Sequence, residues 1–329
     1  MSTVTLSSER KFSCEPDLTI LDSARRNGVV LEYSCRSGRC GVCKAHVVGE
    51  TQVIHHDESA LTAEEIASGY ILTCCRTALS DVRLNIEDLG QFANIKSKTL
   101  PCRVDSFEPL TDDVVEVVLR LPPKDPLNYL PGQYVDIIGK SGVRRSYSIA
   151  NAPRQDGRLE FQIRQVDGGV MSQYWFEELA SNDLLRLEGP LGTFALRNTS
   201  PTNLVFLATG TGIAPIKAIL EQLQADPALV AGKKLRVYWG GRHAQDIYWT
   251  PEVGSLAVSF VPVLSRPGSG WEGCTGYVQD VLVRDGIDLA DAVVYACGSE
   301  QMIHSAKEKL VTLGLPHKNF YSDAFVSSN

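Results

Sequence analysis

The chain has 329 residues, which predicts about two domains of ordinary size with room for a compact third. With 43% hydrophobic and 22% charged residues it can bury a sizeable core, and its net charge of −7 argues against a nucleic-acid partner, because phosphate binding needs a positive field. The opening MSTVTLSSERKF has no apolar leader-like run, and no apolar stretch is long enough to cross a bilayer, so a globular cytoplasmic protein with no membrane contact is expected.

Residues 1–92 read as one unit. TVTL and RKFSCE suit a hairpin, and LTILDSARRN has helical apolar spacing and ends at Gly28, a residue that tolerates the left-handed conformation. CKAHVVGET reads as a strand. Thr62-Ala63-Glu64-Glu65 matches a capping box opening a short helix that stops at Gly69, and YILTCC and VRLNIE read as closing strands. Residues 93–100 fall in the polar stretch QFANIKSKTLP and are expected to form a linker. Over 101–198, PCRVDSF, DVVEVVLRL, QYVDII, RSYSIA, RLEFQIRQV and LLRLEG alternate in polarity, with one helix near MSQYWFEEL. They predict a small six-stranded antiparallel barrel. Over 199–329 the apolar runs NLVFLA, LRVYWG, SFVPVL and AVVYACG alternate with the helical stretches IKAILEQLQ, YVQDVLV and QMIHSAKEKL, which predicts a doubly wound parallel sheet. The expected class is multidomain, α+β followed by α/β.

Nine cysteines are unevenly placed, with Cys35, Cys40, Cys43, Cys74 and Cys75 close together. A disulfide framework belongs to small secreted chains, so a cluster in this one points to metal. Cys35-Arg36-Ser37-Gly38-Arg39-Cys40-Gly41-Val42-Cys43 has the C-x4-C-x2-C spacing, with further cysteines downstream at Cys74 and Cys75. Three thiolates from one tight loop and one from a distant segment is the plant-type arrangement for a 2Fe-2S cluster. Gly38 and Gly41 suit it, since backbone N–H groups must come close to the sulfurs. Structural zinc is the alternative, and with it a zinc-stabilised nucleotide-binding scaffold without redox activity. The region resembles plant-type ferredoxins, which implies a β-grasp fold. That family shows L-x-C six residues before a Ser-Asp pair, as Leu72-Thr73-Cys74 stands before Ser80-Asp81. The resemblance thereby implies Cys74 as the fourth ligand, with Cys75 facing the other side of its strand.

Arg145-Ser146-Tyr147-Ser148 follows Pro131-Gly132-Gln133-Tyr134 on the barrel. A flavin dinucleotide needs a cation for its pyrophosphate, an aromatic wall for its ring and a hydroxyl near its redox nitrogen, and strand alternation puts Arg145 and Tyr147 on one face. Gly168-Gly169-Val170-Met171-Ser172 opens the barrel's helix, whose first N–H groups can receive a pyrophosphate. These motifs resemble the ferredoxin–NADP reductase superfamily. The resemblance adds Arg164 as a flavin-phosphate contact, against its plainer reading as a solvated strand residue, and Ile149-Ala150-Asn151 favours FAD over FMN.

VFLATGTGIAP is a buried strand running through Gly210-Thr211-Gly212 into a helix with Pro215 in its first turn, a loop over which a pyrophosphate can pass closely. The G-T-G-x-x-P variant resembles the same superfamily. Tyr238-Trp239-Gly240-Gly241-Arg242 ends the second strand where an adenosine ribose would lie. Tyr295-Ala296-Cys297-Gly298 ends a later one, and the resemblance sets Cys297 against the nicotinamide. Phe325 in the C-terminal YSDAF supplies an aromatic that can cover the flavin. Cys297 also reads as a small core thiol, Arg242 as a surface charge and Phe325 as a core plug. Asp246 can accept a ribose 2′-hydroxyl and so favour NADH, whereas Arg242 would favour NADPH.

A nicotinamide yields two electrons together and a 2Fe-2S cluster takes one; a flavin between them can accept the pair and release electrons singly. The order cluster, FAD, nicotinamide therefore predicts an NAD(P)H-dependent reductase that serves another protein. Two groups of the superfamily share that order. The stretches YSCRSGRCGVCK, ILTCC, RRSYSIANAP, LRLEGPLGTF and FYSDAFVSS resemble the CDP-6-deoxy-3,4-glucoseen reductases, which implies a pyridoxamine-phosphate (PMP)-dependent dehydrase of 3,6-dideoxyhexose synthesis as acceptor. The other group, reductases of mono- and dioxygenases, implies an oxygenase component.

Overall fold

Val4, Phe12 and Cys14 are buried at alternate positions of two short strands, β1 (Ser2–Thr5) and β2 (Lys11–Cys14), which pair antiparallel as the expected hairpin. The structure is a computed structural model that describes residues 1–252, 254 and 256–326. The chain divides into two compact units, Met1–Lys96 and Ser97–Phe325.

In the first unit, α1 (Ile20–Arg26) is capped by Thr19, whose hydroxyl accepts the Asp22 N–H at 3.0 Å, and it ends before Gly28 at φ 68°. Ile20, Leu21 and Ala24 bury its inner face in the core that the sheet lines. The strands β3 (Lys44–Val48), β5 (Tyr70–Leu72) and β7 (Val82–Leu84) complete a sheet in the order β2-β1-β7-β3-β5, with β1 and β7 parallel. This is a β-grasp. The capping box at Thr62 opens α2 (Ala63–Ala67) as expected.

Two expected strands are broken. CKAHVVGET divides at Gly49, whose φ of 122° and approach to Asp81 O, 2.8 Å from a would-be Cβ, demand glycine. Thr51–Val53, β4, then pairs with β6 (Arg76–Ala78) in a separate ribbon. YILTCC stops at Leu72, because Cys75 N–H turns back to donate to Leu72 O at 2.9 Å. Cys74 and Cys75 therefore sit in a turn, and opposite strand faces do not separate their side chains.

The second unit begins with β8 (Lys98–Thr111), which takes in Lys98 to Leu100 from the stretch expected as linker. It continues through β9 (Val114–Arg120), β10 (Tyr134–Ile138), β11 (Arg144–Ser148), β12 (Arg158–Arg164) and β13 (Leu184–Leu191). All neighbours in the order β11-β10-β13-β8-β9-β12 are antiparallel, around a core that includes Val104, Val117, Ile137, Phe161 and Leu187. The six strands coincide with the six expected. A short helix, α3 (Val170–Gln173), runs into a wider turn that buries Tyr174 and Trp175.

A parallel sheet follows, built from β14 (Asn203–Thr209), β15 (Lys234–Gly241), β16 (Val258–Leu264), β17 (Cys274–Thr275), β18 (Ala292–Ser299) and β19 (Phe320–Phe325), with helices α4 (Ile213–Ala225), α5 (Val278–Arg284) and α6 (Glu300–Thr312). Its order, β17-β16-β15-β14-β18-β19, reverses between β14 and β18, which makes that pair the topological switch point. The aromatic-bearing tail is itself the edge strand β19, in register with β18 from Val294↔Phe320 to Ser299↔Phe325.

The outward face of β12 fastens the barrel to the nucleotide lobe. Leu159, Phe161 and Ile163 point into the barrel core, and the alternate residues Glu160, Gln162 and Arg164 point out. Lys217 Nζ lies 2.6 Å from Glu160 Oε2, Tyr248 Oη donates to Gln162 Oε1 at 3.2 Å, and Arg164 Nη2 is 3.5 Å from Asp246 Oδ1. Among the described residues no helix is long and apolar enough to cross a membrane.

Candidate functional site

The loop from Cys35 to Cys43 has no regular structure and curls through left-handed residues, Arg36 at φ 57°, Gly38 at 74° and Gly41 at 71°. At Gly38 glycine is needed twice over: a Cβ would stand 2.1 Å from Asp57 O and 2.9 Å from Cys75 Sγ. The loop faces the turn at Cys74, and Cys43 and Cys74 meet with their sulfurs 3.3 Å apart. Thr73 binds the turn to the loop, its N–H and hydroxyl both donating to Cys43 O, at 3.2 and 3.3 Å.

Cys40, Cys43 and Cys74 are buried and Cys35 is half-buried. A hydrogen bond with the Cys40 thiol holds Cys35 down at about 5, against the opposing effect of burial. Cys74 is held at about 3, first by its hydrogen bond with Cys43 and next by that with Cys75, while Cys40 and Cys43 are pushed up by the same contacts and by burial. Ser37 N–H donates to Cys35 Sγ at 3.4 Å. The four thiols thus come as two pairs, Cys35 with Cys40 and Cys43 with Cys74. That suits two irons with two sulfur ligands each, and soft sulfur donors suit iron–sulfur chemistry. Among the described residues no three His, Cys, Asp or Glu side chains converge on one ion position. Arg36, beside the ligands, is ion-paired to Asp22 at 2.9 Å.

On β11, Arg145 and Tyr147 share a half-buried face, as alternation requires. The Tyr147 ring is braced by Trp175, whose indole N–H donates to its Oη at 2.8 Å in an edge-on contact, and burial pushes the phenol up to about 12. Ser148 is buried at the strand end. Ser146 belongs to the opposite, exposed face and its hydroxyl donates to Asp136 at 2.6 Å, so its side chain does not join the flavin face. In the helical turn, Gly169 caps α3 and Val170 is exposed, whereas Met171 and Ser172 turn inward. Met171 fills the space beside Gly139, where a Cβ would lie 2.6 Å from its sulfur, and Ser172 Oγ accepts the Val166 N–H at 2.8 Å. These two shape the turn, and the first-turn backbone N–H groups are what it offers an anion.

Arg164 is flanked by carboxylates, Asp113 at 3.1 Å and Asp246 at 3.5 Å, and lies over Gly210, where a Cβ would come 3.1 Å from its Nη1. These contacts tie the barrel to the nucleotide turn and leave the side chain 35% exposed. Asp246 is engaged on the same loop. Its carboxylate accepts Arg242 N–H at 2.6 Å and His243 N–H at 3.0 Å and pairs with Arg164, which leaves the side chain 14% exposed. It shapes the loop. The Arg242 side chain is exposed on that loop.

At the switch point the two strand ends nearly touch. A Cβ on Gly212 would lie 2.3 Å from Cys297 O, and one on Gly298 would lie 2.3 Å from Thr209 Oγ1. Thr209 Oγ1 accepts the Ser299 N–H at 3.0 Å, and Trp239, fully buried, donates to Gly210 O at 2.9 Å. The cradle is therefore backbone, with Gly210 at φ 53°. Cys297 is wholly buried, and burial, then the nearby Asp323, pushes its thiol well up, so it stays neutral. Phe325, paired with Ser299 at the sheet's carboxyl edge, is 36% exposed and no core plug. Sequence reasoning missed Trp175 and Asp323. Only reading FYSDAF as a strand, which puts Asp323 opposite Cys297, would have found the second.

Comparison with known proteins agrees with this architecture. A 2Fe-2S iron-sulfur cluster binding domain matches residues 4–79, an oxidoreductase FAD-binding domain residues 101–196 and an oxidoreductase NAD-binding domain residues 206–308. The chain belongs to the family of NAD(P)H-dependent, FAD- and 2Fe-2S-containing electron-transfer oxidoreductases of the ferredoxin reductase type. It is 41% identical, over 96% of each chain, to a CDP-6-deoxy-L-threo-D-glycero-4-hexulose-3-dehydrase reductase of Yersinia pestis. It is also 31% identical to the reductase component of a propane 2-monooxygenase of Rhodococcus jostii, covering 94% of this chain and 87% of that one. Among solved structures it is similar to an Amycolatopsis cytochrome P450 reductase, with TM-score 0.76, 29% identity and full coverage of both chains.

Proposed function

We propose that this reductase delivers electrons from NAD(P)H, through FAD and a 2Fe-2S cluster, to a PMP-dependent dehydrase acting on a CDP-6-deoxyhexulose. The observation that carries it is the full-length similarity at 41% to a reductase named for that dehydrase, against 31% for a monooxygenase reductase of similar span. Bound FAD would supply the exchange between hydride and single electrons. Arg145 would neutralise the flavin pyrophosphate, Tyr147, braced by Trp175, would flank the ring, and Ser148 would offer its hydroxyl to it. The first-turn N–H groups of Val170, Met171 and Ser172, with Gly169 before them, take an anion. Gly210, Thr211, Gly212 and Gly298 would form the backbone cradle for the nicotinamide nucleotide's pyrophosphate, and Cys297, a neutral thiol, would pack near the ring without moving a proton. Phe325, exposed at the sheet's carboxyl edge, would be the aromatic available to cover the flavin edge. Cys35, Cys40, Cys43 and Cys74 hold the cluster. Nine free cysteines fit a cytoplasmic setting.

The deciding experiment gives the holoenzyme either the PMP-loaded dehydrase with its CDP-hexulose or an oxygenase component with its substrate, under NAD(P)H. Deoxygenated sugar from the first mixture alone supports the reading. Product from the second alone makes the chain an oxygenase reductase.

A further inference from the structure

Cys75 is left over once the four ligands are assigned, and it is not placed as a spare core residue would be. Its side chain is fully buried, with its sulfur 3.6 Å from Cys74 Sγ. It lies directly beneath the loop that carries the other ligands: a Cβ at Gly38 would come within 2.9 Å of the Cys75 sulfur. Its backbone is pinned on both sides, since its N–H donates to Leu72 O at 2.9 Å and its carbonyl accepts the Ile54 N–H at 3.0 Å. The backbone that carries the sulfur is thereby held in the turn, beside Cys74 and beneath Gly38.

We propose that Cys75 is a positioning residue for electron transfer, its thiol donating a hydrogen bond to the ligating sulfur of Cys74 and so raising the reduction potential of the cluster. The proposal rests on the assignment of Cys74 as a ligand. The physics is general: a hydrogen bond to a ligating sulfur draws off electron density, which stabilises the reduced, more negative cluster over the oxidised one. Cys74 is the ligand contributed by the distant turn, and Cys75 is its immediate neighbour in that turn. A thiol suits the place because it is small enough to fit under Gly38 and gives only a weak hydrogen bond.

The test is a redox titration of the full-length holoenzyme, with the cluster followed by electron paramagnetic resonance and the flavin by absorbance. Cys75→Ala should keep iron, sulfide and FAD contents. At a fixed poise it should lower the ratio of reduced to oxidised cluster about tenfold, ~59 mV for a one-electron couple, with the flavin unmoved. Cys75→Ser, whose hydroxyl restores a donor, should return most of the shift. In unsubstituted protein, pulsed resonance in H2O and D2O should reveal an exchangeable proton coupled to the reduced cluster at a cysteine sulfur. An intact cluster at unchanged potential in Cys75→Ala overturns the proposal, as does absence of that proton should the variant fail to fold. Loss of the cluster from Cys75→Ala but not from Cys74→Ser instead overturns the ligand assignment on which it rests.

Discussion

The cluster loop and the nucleotide switch point both depend on glycine, but they distribute chemistry differently. In the cluster loop the side chains are the chemistry: four thiols meet in two pairs, and Gly38 only makes room for them. At the switch point the backbone is the chemistry, and the side chains around it are occupied with one another. Asp246 holds Arg242 and His243 by their N–H groups and pairs with Arg164, and Trp239 holds Gly210. A motif read from sequence therefore names ligands in the first region and scaffold in the second.

This contrast can be broken in five ways. Cys40→Ser should abolish the cluster signal and all turnover with a protein acceptor, yet leave NAD(P)H-to-ferricyanide activity, which needs only flavin and nucleotide sites. Retained turnover with the dehydrase would mean that electrons leave from FAD. Gly212→Ala, which drives a Cβ against Cys297 O, should cost about 3 kcal/mol in denaturant unfolding and remove nucleotide binding. Wild-type stability would show that the cradle has slack. Arg145→Ala should weaken FAD retention by about 1.5–3 kcal/mol, roughly ten- to a hundredfold, read by dialysis against free flavin. Cys297→Ala should slow flavin reduction about tenfold in stopped flow with FAD content unchanged; an unaltered rate would make the thiol mere packing. The smallest effect sharpens the comparison most. Asp246→Asn should cost about 1 kcal/mol of stability and leave the NADH-to-NADPH preference within about threefold of wild type, as expected of a loop clamp. A large swing toward NADPH would restore it as a ribose ligand.

Much of this was legible beforehand. The six barrel strands were fixed by period-two alternation, as in RLEFQIR, and the buried parallel strands by unbroken apolar runs. The breaks at Gly49 and at Cys74-Cys75 were not, because they are set by what lies across from them, the Asp81 carbonyl and the pairing of β4 with β6. β19 was hidden because an edge strand with a buried aspartate does not look apolar. Among site residues, spacing brought out the cysteines, since ligand geometry is local. It could not tell that Ser146 and Arg164 engage Asp136, Asp113 and Asp246, which are remote in sequence, nor that the loops fold so that Ser172 and Asp246 accept nearby backbone N–H groups.

The outward face of β12 has one more consequence, which concerns insertions and deletions. Three alternate residues of a single strand meet three separate residues of the nucleotide lobe, so the tilt between the lobes is written in the phase of that strand. Adding or removing one residue within β12 would swing Leu159, Phe161 and Ile163 toward the lobe and bury Glu160 and Arg164 in the barrel. The connection that leads into the strand shares the seam, since Ala152 N–H donates to Glu221 at 3.0 Å and Arg154 pairs with Glu221 at 3.3 Å. A change in how the two lobes meet is therefore reached more readily by substitution along β12 and its leading connection than by insertion into the strand.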